Sequence, residues 1–251
     1  MFSKIKNKIT KLLGNYKEEK HNRISSYPFI SGDSFISLAD EIILQTYSKP
    51  LKSNFINNND LIFIENDMLN QKWVLETALN YKKVILHNGD KVPSKLLLDK
   101  LLAESIKIYA TNVKYQENKI FPIPIGLENS YLKRNGDLNY YNIFNFSEKK
   151  LAKDNMILVS FSVHNEIRKS YENILLEHNF QNQVGLDLKK YRQLLNKSFF
   201  VISPPGNGID CHRTWESLIL GNIVLLQSSP LDPLFEDLPV VIIKDFILFR
   251  V

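Results

Sequence analysis

The chain has 251 residues, enough for one large or two small domains at roughly 100–200 residues each. Hydrophobic residues make up 44% and charged residues 24%, which excludes a disordered or fibrous chain, and the single cysteine, Cys211, excludes an intramolecular disulfide and a multi-cysteine zinc cluster. The net charge of +5 sits in residues 1–23, with seven Lys/Arg against two Glu. The remainder holds 25 of each sign, so the body has no basic excess to follow a nucleic-acid backbone and no nucleic-acid partner is expected.

In residues 1–23, Phe2, Ile5, Ile9, Leu12 and Leu13 recur at helical spacing between lysines. Two readings fit: an interfacial helix on an anionic membrane surface, or a solvated terminal helix that packs locally. The segment lacks the apolar core and small-residue cleavage site of a secretory signal, and no run approaches the roughly 20 apolar residues of a membrane span. With one cysteine, a cytoplasmic protein is expected, peripheral at the membrane face in the first reading.

Residues 24–130 read as alternating strands and helices. Leu61–Glu65, Val84–His87 and Ile106–Ala110 are short apolar runs that predict strands. Ser34–Thr46, Gln71–Asn80 and Ser94–Ala103 follow plausible caps or turns and predict helices. Residues 131–154 are polar, with many Asn, Lys and Tyr, and read as a linker after the structure-breaking Pro122-Ile-Pro124-Ile-Gly126. Residues 155–251 alternate again: strands at Met156–Phe161, Phe199–Ile202, Ile223–Leu226 and Val240–Ile243, helices at Ile167–His178 and Thr214–Leu220. Strand–helix alternation at this spacing predicts α/β architecture, with parallel sheet covered by helices on both faces.

The informative stretch is Ser203 to Leu226. A strand ends at Ile202, a turn with Gly206, Asn207 and Gly208 follows, and a helix starts near Cys211. Ligands of open parallel sheets bind at the carboxyl ends of strands. Glycines let the backbone approach a ligand, and free amides at a helix start suit a diphosphate. Arg213 adds a fixed positive charge. Glu216 lies three residues on, near the same helix face, where its carboxylate can accept from two ribose hydroxyls. A plain turn followed by a surface Arg/Glu pair fits the same residues. Neither a dinucleotide fingerprint nor a Lys-containing phosphate loop is present.

The stretch resembles the donor-binding core of the exostosin-like glycosyltransferases. The resemblance rests on Ser203-Pro204-Pro205-Gly206, on Arg213-Thr214-Trp215-Glu216-Ser217-Leu218 and on Gly221-Asn222-Ile223-Val224-Leu225. Upstream Tyr191, Leu194, Leu195, Ser198 and Phe200 and downstream Pro233-Leu234-Phe235 fall at similar places, so the likeness covers about 191–243. Val224 stands where that family has proline. The blocks Tyr27–Phe35, Leu86–Asp90 and Ile123–Asn129 are similar to those of bacterial and viral relatives of the group.

The resemblance implies a GT-B arrangement: two Rossmann-like domains facing each other across a cleft. An acceptor half would span 24–130 and a donor half 155–251. It implies transfer of a sugar from a nucleoside diphosphate sugar to a hydroxyl of a glycan or lipid-linked acceptor, inverting, without a metal or other cofactor. Such enzymes run on past the last strand, whereas this chain stops at Val251, so a shortened C-terminal part is expected; an inactive nucleotide- or glycan-binding relative is the alternative. Donor contacts are expected from Arg168, Gly206, Asn207, Gly208, His212, Arg213 and Glu216. Arg168 also reads as a surface residue at a helix start, and His212 as a capping or core residue. Cys211 reads as a small buried residue, and Trp215 as core. Inversion needs a base for the acceptor hydroxyl: Asp90 is the first candidate and His87 the second, both at the end of a central strand, with turn capping the other role open to Asp90.

Overall fold

The computed structural model describes residues 25–46, 50–52, 60–89, 93–132, 135–141 and 155–244. The basic segment 1–23, the base candidate Asp90 and most of the expected linker lie outside the described residues.

The protein is α/β with two sheets, compatible with a Rossmann-like fold. The first sheet has the order β2-β1-β3-β4-β5-β6, built from β1 (Glu41–Ile43), β2 (Leu51–Lys52), β3 (Leu61–Glu65), β4 (Lys83–His87), β5 (Lys107–Ala110) and β6 (Ile120–Pro122). Only β2 runs antiparallel. The second sheet, β10-β9-β8-β7, is wholly parallel and uses β7 (Asn155–Val159), β8 (Ser198–Ile202), β9 (Ile223–Gln227) and β10 (Val240–Ile243).

Near-continuous apolar runs become parallel strands because both their faces are buried. On β3 and β4, Ile62, Ile64, Val84 and Leu86 pack in one cluster with Val74 and Ala78 of α2 (Lys72–Ala78) and with Leu98 and Leu101 of α3 (Lys95–Ala103). Leu61, Phe63 and Ile85 take the other face, against Ile36 of α1 (Gly32–Ile36) and Ala39. In the second sheet, α4 (Glu166–Glu177) covers one face through Tyr171 and Leu175. The opposite face meets Leu195 of α5 (Leu188–Lys197) and Trp215 and Leu218 of α6 (His212–Ile219). Strands and helices thus fall where the apolar runs place them, within two residues at most ends.

One expected element is corrected. The helix expected over Ser34–Thr46 ends at Ile36, and β1 occupies Glu41–Ile43. The apolar positions Ile36, Ala39, Ile42 and Ile43 imitate a helical stripe, but Ile42 and Ile43 pair with Phe63 and Ile64. Asp40 fixes the switch: its amide donates to Leu61 O at 2.8 Å and its carboxylate accepts from Leu61 N at 3.0 Å. Three further elements appear, β2, β6 and α5. Helix α5 has a readable start in Asp187, whose carboxylate accepts from Lys190 N at 2.7 Å.

The two sheets share their packing. Val224, Leu226, Leu231 and Phe235 join the apolar cluster that holds Val113 and the α2/α3 face of the first sheet. The described part of the expected linker is docked as well: Tyr141 is 1% exposed, in a cluster with Leu127, Leu158, Leu195 and Val201. No helix among the described residues is long and apolar enough to cross a membrane.

Candidate functional site

Three strand ends converge on one place. The loops after β5 and β6 bring Asn112, Ile125 and Gly126; the loop after β8 brings Pro204 to Cys211 and leads into α6. Asp210 N donates to Asn112 Oδ1 at 2.8 Å, and the Asp210 carboxylate accepts from Ile125 N at 2.8 Å. It also accepts from Cys211 N and from the Trp215 indole, each at 2.8 Å. Burial pushes the Asp210 carboxyl up to about 6, against the lowering effect of these donors. His212 Nδ1 lies 2.7 Å from Gly126 O. A carbonyl only accepts, so Nδ1 carries the proton.

Beside this latch lies a cavity of about 260 Å³. Its lining includes Gly206, Asn207, Gly208, Arg168, His212 and Arg213. Glu216 is also there, so all seven residues expected to hold a donor are brought together. Gly208 is tightly placed: a Cβ there would lie 2.4 Å from Asn112 Nδ2. At Gly206 it would lie 2.9 Å from Arg168 Nη2. The glycines thus admit neighbouring side chains as well as giving access to the loop backbone.

Arg168 holds the loop in shape. Its Nε donates to Pro205 O at 3.0 Å and its Nη1 to Ser162 O at 3.1 Å, while Nη2 has only the Cys211 sulfur at 3.8 Å. Burial lowers its pKa, and the charge of Arg213 lowers it further. Asn165 caps α4 by accepting from Arg168 N at 2.9 Å, and its side-chain amide donates to Gly206 O at 3.0 Å. The N-cap of α6, Cys211, makes no side-chain capping bond. Cys211 is half-buried rather than fully buried as expected, and desolvation raises its thiol pKa. Trp215 packs on Phe235 with 5.7 Å between ring centroids, as expected of a core residue.

Arg213 Nε and Nη1 are buried and have no hydrogen-bond partner. Glu216 is 2% exposed; its Oε2 accepts from the Tyr191 hydroxyl at 3.0 Å, while Oε1 is buried without a partner. Desolvation raises the Glu216 pKa, opposed first by His212. Buried polar atoms are normally satisfied, so unpaired donors and an unpaired acceptor one helical turn apart are chemically suited to a ligand with both kinds of group. Two guanidiniums in one cavity call for an anion.

His87 does not reach this cavity. It is 1% exposed, Nε2 lies 3.1 Å from Pro124 O, and Nδ1 accepts from Asn88 N at 2.7 Å. Burial lowers its pKa to about 4. Its ring nitrogens thus face the Pro124 carbonyl on one side and the Asn88 amide and side chain on the other. Sequence reasoning did not assign Asn112, Asn135, His164 or Tyr191 to the site. Asn112 had a signal, a polar residue just past a strand end. His164, whose Nε2 lies 3.1 Å from Asn207 Oδ1, had none. Among the described residues no three His, Cys, Asp or Glu side chains are grouped to hold a metal ion. No protein-family model and no curated protein matches the sequence.

Proposed function

We propose that the chain is a glycosyltransferase that moves a sugar from a nucleoside diphosphate sugar to a hydroxyl of a glycan or lipid-linked acceptor, with inversion and without a metal. The observation that carries this reading is a set of buried, unpartnered atoms on α6: Arg213 Nε and Nη1 and Glu216 Oε1. The guanidinium and the free amides of the helix start suit a diphosphate; the carboxylate oxygen suits a sugar hydroxyl. Departure of the diphosphate builds negative charge, and Arg213, with Nη2 of Arg168, stabilises it where it forms. The wider proposal is a GT-B arrangement, in which the carboxyl ends of two Rossmann-like sheets enclose the donor and the first sheet presents the acceptor. Asp90 remains the proposed base.

The engagement of His87 favours one second reading: a relative that binds the nucleotide without transferring a sugar. Calorimetry with ADP, GDP, UDP, CDP and pyrophosphate tests the binding step. Incubation of the corresponding diphosphate sugars with glycan and lipid-linked acceptors, with released nucleotide measured, tests the transfer. Binding with turnover supports the transferase. Binding without turnover on any acceptor supports the second reading. Failure of all five probes to bind overturns both.

A further inference from the structure

A second cavity, of about 510 Å³, opens at the carboxyl ends of β8 and β9, where open parallel sheets take their ligands. Asp210 lines both cavities. Helix α6 contributes Arg213 and Glu216 to the first and Thr214 to the second. Ile167 of α4, Ile209, Leu226, Leu231 and Phe235 give the second cavity an apolar lining.

The polar side chains among that lining are engaged with the protein. Ser203 and Thr214 hydrogen-bond each other at 2.9 Å. Ser228 Oγ donates to Asp232 Oδ2 at 2.7 Å, and Ser229 Oγ accepts from Leu231 N at 3.2 Å. Gln227 Oε1 accepts from the Tyr171 hydroxyl, and the Asp210 carboxylate is held in the latch. A buried sugar needs partners for its hydroxyls, and this lining has committed most of its polar groups elsewhere. A hydrocarbon chain needs none and gains from leaving water.

One charge is not so engaged. Lys114, on the loop after β5, reaches the cavity from the first sheet, is exposed and makes no ion pair with any described residue. It also lines a neighbouring cavity of about 710 Å³, which shares Phe235 and continues to Val240 and Ile242 of β10. Lys114 is the only cation in either lining, and the exposed Glu236 lines only the outer one. The inner cavity therefore suits an anionic head carried on an aliphatic chain.

We propose that this second cavity binds a lipid phosphate, with the phosphate on Lys114 and the chain along Ile167, Ile209 and Phe235. Naming this ligand the lipid part of the acceptor rests on the transferase reading; its binding does not.

The test is calorimetry of the full chain with farnesyl phosphate below its micelle concentration, and with farnesol, inorganic phosphate and maltotriose. The wild type binds farnesyl phosphate about tenfold or more tightly than farnesol, and shows no binding of phosphate or maltotriose alone. Ile167 is 53% exposed, so Ile167→Asp leaves the fold intact while setting a carboxylate against the chain. That variant and Lys114→Glu each weaken farnesyl phosphate by about tenfold or more, with nucleoside diphosphate affinity unchanged. Full affinity in both variants overturns the inference. Binding of farnesyl phosphate only above its micelle concentration, equal binding of farnesol, or binding of maltotriose instead also overturns it. If farnesyl phosphate binds as described and no nucleoside diphosphate does, the nucleotide reading fails while the lipid site stands.

Discussion

The Asp210 carboxylate accepts the backbone amide of Ile125 at 2.8 Å, across 85 positions of chain. A residue from the loop after β8 thereby fixes the loop after β6, and the start of α6 is positioned by both sheets at once.

That carboxylate makes stability pH-dependent. Its folded pKa of about 6 lies above the unfolded value of roughly 3.9, so the folded state binds the proton more tightly. The contribution is fully present below about pH 4 and is lost as pH rises through about 6; a shift of two units corresponds to about 3 kcal/mol. Urea midpoints for wild type and Asp210→Asn between pH 4 and 7 check this. The wild type's stability relative to the variant falls across the window; a constant difference rules the assignment out.

Glu216 sets stability against binding. A desolvated carboxylate with an orphan oxygen is costly to bury, and the neutral amide is less so. Glu216→Gln therefore melts at or above the wild-type temperature, yet binds the preferred nucleoside diphosphate about tenfold or more weakly, as for loss of a hydrogen bond to a charged group. Calorimetry beside thermal unfolding reads both effects. Full affinity in the variant removes Glu216 from sugar recognition.

Arg213 carries the phosphate. Arg213→Ala lowers pyrophosphate and nucleoside diphosphate affinity together, by about 10–100-fold, because the lost contact is charge-assisted. With protein cations meeting the leaving group, transfer persists in EDTA. Loss of activity in chelator, restored by magnesium or manganese, would falsify that part of the mechanism.

The charge of residues 1–23 predicts surface binding. Each basic residue near an anionic membrane contributes about 1 kcal/mol, screened by salt. The full chain co-sediments with anionic vesicles at low salt, less so at high salt, and a chain lacking residues 1–22 does not. Equal sedimentation of both forms leaves local packing as the role of the segment.

Legibility in the sequence followed the range of the interactions. Leu61–Glu65 announces itself as a strand because burial on both faces demands an unbroken apolar run. The α6 site is readable because Gly206, Arg213 and Glu216 lie within one loop and one helix. The latch is not: Asn112 meets Asp210 across 98 positions, and no local pattern in one chain encodes that pairing. His87 ends β4 as the apolar run suggests, whereas its burial and its Pro124 contact come from residues distant in the chain. Asn135 sits in a stretch whose polarity reads as linker, while its place in the wall comes from Glu128 and Arg192.

Cys211 is the chain's only cysteine, and it lies in the lining of the α6 cavity, its sulfur 3.5 Å from Pro204 O. A maleimide or a fluorinated alkylating tag therefore has a single address. Its raised pKa keeps the half-buried thiol protonated and slow to react, so the labelling rate becomes a clock for access to the cavity. Any molecule that fills the cavity stops that clock, which allows compound collections to be screened before a substrate is known.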